Sequence, residues 1–415
     1  MLAEERGLVR FFSDLDKFLC LGLPEFVSAF EPSILRAIPL RALSGSLILV
    51  SFSEFLGNSD TVERLRESVH HQRIPQAIIL SGARGSGKYT LALMFAKLVN
   101  CVAPVMTDGL PDFCGVCRNC ERIDGAADLD ARVADALSAR EDLRETDKRE
   151  TRILVQPHPD VLIIPPDPPQ NLIKIGQVRQ VIHNAYYRPP SEARRAFFIF
   201  TSSAFMKEAA NSLLKVLEEP PPNCTLILLS DNPAEMLPTI RSRAMLHRLG
   251  AVPVETLEQL LAVRRPELKG PRRSLAARMA EGGVGRALGF NAETYLASRQ
   301  DALTVLRNAL REPDFSTLFR ATEVYKGGGD GQEKTLNLLR ATNSLIEDLL
   351  MIFAGSTQLI RNQDISPELT QLAQGLSIDW IEHSARALSE VEKGMRRNLL
   401  RSLSIDAMAL SLDRI

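Results

Sequence analysis

Ser81-Gly82-Ala83-Arg84-Gly85-Ser86-Gly87-Lys88-Tyr89-Thr90 is the stretch whose reading decides the fold. Gly82, Gly87 and Lys88 fit G-x-x-x-x-G-K, a phosphate-binding loop, with Gly85 inside it. Gln76-Ala77-Ile78-Ile79-Leu80 before the loop reads as a buried strand, and Thr90 to Asn100 after it is apolar at helical spacing. The strand–loop–helix context that the motif requires is therefore present. Glycines let the backbone curl around a phosphate, amides of the helix N-terminus point at it, and the lysine adds a point charge. One position departs from the pattern. Tyr89 stands where a serine or threonine hydroxyl would hold magnesium, and Thr90 lies one residue further, about 100° around the helix.

Working outward, Ser51-Phe52-Ser53-Glu54-Phe55-Leu56-Gly57-Asn58 reads as the start of a domain, followed by Ser59 as an N-cap and a helix carrying Val62, Leu65 and Val69. Residues 1–49 are apolar but broken by charges and by Pro24, Pro32 and Pro39, without signal- or transit-peptide organisation. They read as an appendage, or as a mis-assigned gene start with Val50 near the real one.

Beyond the loop helix come Cys101, Cys114, Cys117 and Cys120, four of the six cysteines. The C-x2-C-x2-C run plus one thiol from a helix end suits a tetrahedral four-thiolate Zn2+ site, structural because it leaves no open position. Clustering of this kind also points to a reducing cytoplasm rather than a disulfide framework. Cys20 and Cys224 read as buried thiols. From Glu121 to Arg152 lies a mixed-charge insertion with ten acidic and seven basic residues, in which Leu129, Val133, Ala136 and Leu143 suggest a solvated helix without chemistry.

Strands at Asp160 to Ile164, Ala196 to Phe200 and Thr225 to Leu229 then alternate with helices marked by Val178, Val181, Ile182 and Ala185 and by Ala209, Leu213, Leu214 and Leu217. Strands that are apolar throughout imply a parallel sheet covered on both faces. After about Leu249 the chain reads as helical, with a break at Gly282-Gly283. Leu338, Ala341, Leu345, Leu349 and Ile352 form one bundle-core stripe, and Ile381, Ala385, Leu388, Val391 and Met395 form another.

The totals fit this picture. At 415 residues, 45% hydrophobic and 24% charged, with a formal net charge of -1, the chain is an ordinary globular protein of two or three domains. It is not a free-standing polyanion binder, and no apolar run approaches the ~20 residues of a membrane span. Basic groups such as Arg194-Arg195 and Arg272-Arg273 are too scattered to mark a nucleic-acid path.

The loop, the four-cysteine module after its helix, Leu213-Leu214-Lys215-Val216-Leu217-Glu218-Glu219-Pro220-Pro221 and Thr239-Ile240-Arg241-Ser242-Arg243 occur together. That set resembles the bacterial DNA polymerase III clamp-loader AAA+ family, from about residue 51 to the C-terminus. Asn398-Leu399-Leu400 and Leu403-Ser404-Ile405 are similar to the delta-prime pattern within it. The resemblance implies an α/β AAA+ P-loop domain at 50–250, with the zinc module at 101–120 and the charged insertion at 121–152. A helical lid would follow at 251–295 and an all-α collar at 296–415. It further implies assembly of five such subunits through their collars, opening of the sliding clamp, and its placement on primed DNA within the polymerase III holoenzyme.

The resemblance also sets expectations for the chemistry. The acidic pair that supports magnesium and polarises water in a working site falls on Thr201 and Ser202, neither of which carries charge. With Tyr89 replacing the magnesium hydroxyl, turnover at this site is not expected, although Lys88 and the loop amides leave ATP as a candidate ligand. Arg243, in Ser242-Arg243-Ala244, matches the arginine that reaches a neighbour's ATP; its bland reading is a helix cap. Arg286, in Gly285-Arg286-Ala287-Leu288, matches the lid's phosphate-sensing arginine. Lys215 with Glu218-Glu219 reads as a solvated or subunit-contacting surface. The rival readings are an active tau/gamma-type ATPase subunit and a small-molecule phosphotransferase. The latter needs acids at strand ends and a substrate lid, and the sequence shows neither in those roles.

Overall fold

The computed structural model describes residues 51–415 apart from 169, 189, 311–314, 326–328, 396–400 and 413–415. The expected leader at 1–49 with Cys20, and the turn Asn398-Leu399-Leu400, lie outside the described residues.

Helix α1 (Ser59–His70) begins at the residue expected to cap it. Asn58 occupies the cap position at φ 57, and its side chain is spent elsewhere, accepting from the Gly250 N–H at 2.6 Å. Strand β1 (Ala77–Gly82) then runs into the loop, and α2 (Lys88–Asn100) leaves it. A short hairpin of β2 (Val105–Thr107) and β3 (Leu110–Asp112) follows. Its short strands have little to bury; the buried Arg66 of α1 holds the turn by donating to the carbonyls of Thr107, Leu110 and Pro111. The insertion folds as α3 (Arg118–Asp124), α4 (Leu129–Glu141) and α5 (Glu145–Glu150). As expected of a solvated helix, α4 has no buried residue, and Leu129 and Val133 only lean on the core.

The sheet continues with β4 (Val155–His158), β5 (Val161–Ile164), α6 (Ile175–Tyr187), β6 (Ala196–Phe200), α7 (Lys207–Glu218), β7 (Cys224–Ser230), α8 (Pro238–Arg241) and β8 (Met245–Leu249). The strand order is β4-β5-β6-β7-β1-β8, and all pairings are parallel except β4 with β5. The expected all-parallel sheet is thus corrected at one edge. The connection Pro159-Asp160 is too short for a crossover helix, and only a reversal fits it. Both faces are covered. On one, Phe95 of α2 meets Phe197 of β6 edge-to-face, with ring centroids 5.9 Å apart. On the other, Val178, Val181, Leu213 and Val216 are fully buried against Phe198 and Phe200.

Past Leu249, α9 (Val254–Arg264), α10 (Pro271–Met279) and α11 (Val284–Leu288) enclose a small core of Val252, Leu257, Leu261, Ala276 and Ala287. The expected break falls at Glu281-Gly282-Gly283. The remaining helices are α12 (Ala292–Leu310), α13 (Phe315–Glu323), α14 (Gly329–Phe353), α15 (Ser366–Leu372), α16 (Ile378–Met395) and α17 (Arg401–Leu412). Helix α12 runs through 295/296, the position expected to separate lid from collar, and Asn291 is the residue before it.

The first predicted stripe is buried from Leu338 to Leu349, with Ile352 half-buried. In the second, Ala385 is exposed and Ser384 takes the core position. Positions 381, 384, 388 and 391 share the face at helical spacing. The Ser384 hydroxyl is satisfied by donating to the Trp380 carbonyl at 2.8 Å.

Candidate nucleotide and metal sites

The loop between β1 and α2 sits at the C-terminal end of β1, an interior strand between β7 and β8, where a parallel sheet presents its ligand crevice. Gly85 and Gly87 adopt φ 81 and φ 89, the left-handed region that a side chain would resist. Gly82 lacks a Cβ for another reason, since one there would come 2.6 Å from the Leu249 carbonyl of the adjacent β8. Backbone shape therefore agrees with the predicted phosphate loop.

Its side chains are engaged within the chain. Lys88, on the first turn of α2 and buried, donates to the carbonyls of Gly82 at 2.7 Å and Ala83 at 2.8 Å. The same ammonium pairs with Asp231 at 2.8 Å. Asp231 follows β7 directly and was not singled out by sequence; an acid just beyond a buried strand next to the loop strand was the available signal. It also corrects the expectation that no acid stands at a strand end beside the loop.

Tyr89 turns away from the phosphate position. Its hydroxyl donates to the Ala126 carbonyl at 2.6 Å, on the link between α3 and α4. Burial, then the nearby Asp128 and Asp130 carboxylates, hold this phenol well above its ordinary range, so it stays a neutral donor. The charged insertion thus has a structural role, because it receives the tyrosine. Tyr89→Phe should leave the buried Ala126 carbonyl unpartnered and cost roughly 1–3 kcal/mol. Chemical denaturation checks this, and an unchanged midpoint would contradict it. Thr90 is half-buried on α2, with Leu91 and Ala92 wholly buried beyond it.

Thr201 and Ser202 lie immediately after β6, at the strand end where the acidic pair was sought. The Thr201 N–H donates to the Ile164 carbonyl at 3.1 Å, and the Ser202 hydroxyl accepts from the Ala204 N–H at 3.1 Å. Thr201 extends the ladder to β5 and Ser202 holds the local turn, and neither side chain carries a charge that could polarise water.

Two further groups close on the loop. A Cβ at Gly87 would come 3.0 Å from the Phe55 ring. From the lid, the Gly285 N–H donates to the Gly85 carbonyl at 2.9 Å, and Arg286 lies over Gly85. The Arg286 guanidinium, however, points back to the Glu281 carboxylate and donates to the Met279 carbonyl at 3.0 Å. Phe55, Glu281 and Gly285 were not distinguishable from sequence, because they reach the loop only through tertiary packing.

Arg243 lies between α8 and β8. It donates to the Thr239 carbonyl at 3.0 Å and pairs with Glu218, the last residue of α7, at 2.8 Å. The helix-capping contact weighed from sequence is therefore real, and the side chain remains about one-third exposed (35%). Lys215, Glu218 and Glu219 are exposed, as expected of a surface. Arg195 is structural, donating to the Thr225 hydroxyl at 2.6 Å and the Cys224 carbonyl at 2.7 Å. Cys224 is the buried thiol expected, pushed up to about 11 by burial.

Cys101, Cys114, Cys117 and Cys120 converge, with all four sulfurs within 4.8 Å of one another. Cys101 follows α2 directly, Cys117 caps α3 and Cys120 sits in its first turn. The Cys101 and Cys114 sulfurs are 3.5 Å apart. A tetrahedral ion with zinc–sulfur bonds near 2.3 Å needs sulfurs roughly 3.8 Å apart, so the four thiols fit it. Burial raises the Cys101 and Cys120 thiols. Burial also pushes Cys117 up, but backbone N–H groups of Val102 and Cys120 and neighbouring thiols outweigh it and bring Cys117 to about 6. Beside the cluster the Lys97 ammonium lies 4.1 Å from the Phe113 ring centroid and 2.7 Å from Asp124. Zinc is the ion this donor set suits, at the positions named from sequence.

A mixed parallel sheet with β1 between β7 and β8, a glycine loop at the end of β1 and helix α11 against that loop fit an α/β AAA+ domain. Residues 57–253 match the family model described as DNA polymerase III, delta subunit. The tau subunit of DNA polymerase III from Escherichia coli is 24% identical over 325 residues, 76% of this chain and 44% of that protein. The gamma/tau subunit from Mycobacterium tuberculosis is 26% identical over 324 residues, 71% of this chain and 49% of that protein. The delta' subunit from Pseudomonas aeruginosa is 26% identical over 203 residues, 45% of this chain and 52% of that protein. The chain spans about half the length of these relatives or less. Over residues 57–253 and along these relatives the chain is similar to clamp-loader subunits of DNA polymerase III.

Proposed function

We propose that the chain is a delta-prime-like clamp-loader subunit that does not hydrolyse ATP and supplies Arg243 to a neighbouring subunit's site. The observation that carries this reading is the pairing of Thr201 and Ser202 at the end of β6 with a Tyr89 turned onto Ala126. Hydrolysis needs a carboxylate to polarise water and a compact hydroxyl for magnesium, which wants near-ideal octahedral ligands. Both are missing at the same site. Asp231 does not replace them as it stands, because its charge is spent on Lys88.

In this reading the chain works in the cytoplasm within a hetero-oligomeric ring held by the helical collars. The ring loads the sliding clamp on primed DNA as part of the polymerase III holoenzyme. Among the described residues no helix is long and apolar enough to cross a membrane, which accords with such a role. Zinc ties the cysteine module to the P-loop domain, and ATP remains a candidate ligand of the loop rather than a substrate.

The second reading, an active tau/gamma-type ATPase subunit, is favoured by relatives that carry those names. A steady-state ATPase assay on the isolated chain separates the two. The expected result is no magnesium-dependent turnover above background. Robust turnover abolished by Lys88→Ala would establish the second reading.

A further inference from the structure

The two cations flanking the phosphate loop are each held by a carboxylate of the same chain. Lys88 pairs with Asp231 at 2.8 Å. Arg286 pairs with Glu281, while its stem lies over the loop: a Cβ at Gly85 would come 2.8 Å from the Arg286 Cγ. Glu281 also takes Arg361, on the segment after α14, at 2.9 Å. Arg361 meets Glu347 of α14 at 2.6 Å, and its own N–H donates to Asp348 at 2.8 Å. Glu281 holds φ 50, uncommon for a residue with a side chain, and its two arginine partners fix it there. Two loop-side hydroxyls, Ser86 Oγ and Ser230 Oγ, are buried without a hydrogen-bond partner. Unpaired buried donors are costly and mark a place where an acceptor is wanted.

We propose that Asp231 and Glu281 are internal counter-ions that compete with a nucleoside polyphosphate for Lys88 and Arg286. The loop then takes a triphosphate only by exchanging both ion pairs. Phosphate oxygens reaching Lys88 must displace Asp231 or stand against its charge, and the same holds for Arg286 and Glu281. Because Glu281 is shared with Arg361, release of Arg286 leaves that carboxylate to the bundle side, so the exchange is felt at the lid–collar junction. This inference deepens the reading of the loop as the site of a non-hydrolysing subunit and rests on it.

The test is calorimetric titration of the full chain with ATP, with and without magnesium, in wild type, Asp231→Asn, Glu281→Gln and the double variant. Inorganic tripolyphosphate serves as a second probe that lacks the base. The Asp231 and Glu281 side chains are 67% and 38% exposed, so amide isosteres should fold; thermal melts verify this. Removing one unit charge about 4 Å from the ligand in a solvated site should tighten binding roughly fivefold per amide. The gains should combine in the double variant for both probes, and Lys88→Ala in that background should abolish them. Unchanged affinity in the folded double variant, or a gain that survives Lys88→Ala, overturns the proposal. Hydrolysis by the double variant is a separate readout. It would refute the non-hydrolysing assignment while leaving the ion-pair competition standing.

Discussion

Purified protein should carry about one zinc per chain, and stripping it should cost more stability than Tyr89→Phe does. The four sulfurs already lie within 4.8 Å of one another. Without the ion, thiols of which two are raised by burial must sit together with only weak hydrogen bonds among them. Structural zinc in small peptide modules is worth roughly 10–16 kcal/mol of binding free energy that is also folding free energy. The module in this chain is additionally pinned by Arg66, Lys97 and Tyr89, so only part of that is lost on chelation. A loss of several kcal/mol still corresponds to a fall in melting temperature on the order of 10 °C. Metal analysis with scanning calorimetry before and after chelation checks this. Metal-free protein with four freely alkylatable thiols and an unmoved melting point would contradict it.

Arg243→Ala should leave ring assembly intact and slow ATP hydrolysis by the reconstituted clamp loader. An arginine delivered in trans to a phosphoryl-transfer site is worth roughly 10³–10⁵ in rate at that site. The resting contacts of Arg243 are modest by comparison: a helix-end carbonyl at 3.0 Å and a half-exposed ion pair with Glu218 at 2.8 Å. Exposed pairs of this kind contribute at most about 1 kcal/mol, so a neighbouring triphosphate can outcompete them. Arg243→Lys separates the roles. It keeps a charge for Glu218 but loses the planar fork, and it should be nearly as slow as the alanine variant. An unchanged rate in both would leave Arg243 as a helix cap alone.

Much of this was legible because the informative signals are local. Apolar runs such as Ala196 to Phe200 can only be central strands, the glycine spacing sets the loop, and C-x2-C-x2-C brings three thiols together by itself. Strand β8 was harder to read, since Met245-Leu246-His247-Arg248-Leu249 carries a histidine and an arginine and lies at the sheet edge. Strand β4 escaped notice because Pro157 lies within it and its pairing is reversed. Ser384 displaced Ala385 from the core face because a buried serine on a helix can satisfy its hydroxyl on the preceding turn. Glu281 and Phe55 act on the loop through approaches between distant segments, which no periodicity or spacing encodes. Asp231 left a trace in sequence, as an acid just after a buried strand, whereas Glu281 and Phe55 left none; the uncharged Thr201 and Ser202 after β6 were legible.

Everything turns on whether this chain gives an arginine to a neighbour's chemistry and performs none at its own loop. Steady-state ATP hydrolysis by the reconstituted complex, measured with Lys88→Ala and with Arg243→Ala versions of this chain, tests it directly. The predicted result is a rate unaffected by Lys88→Ala and strongly reduced by Arg243→Ala. The opposite pattern, loss of turnover with Lys88→Ala and none with Arg243→Ala, would contradict it.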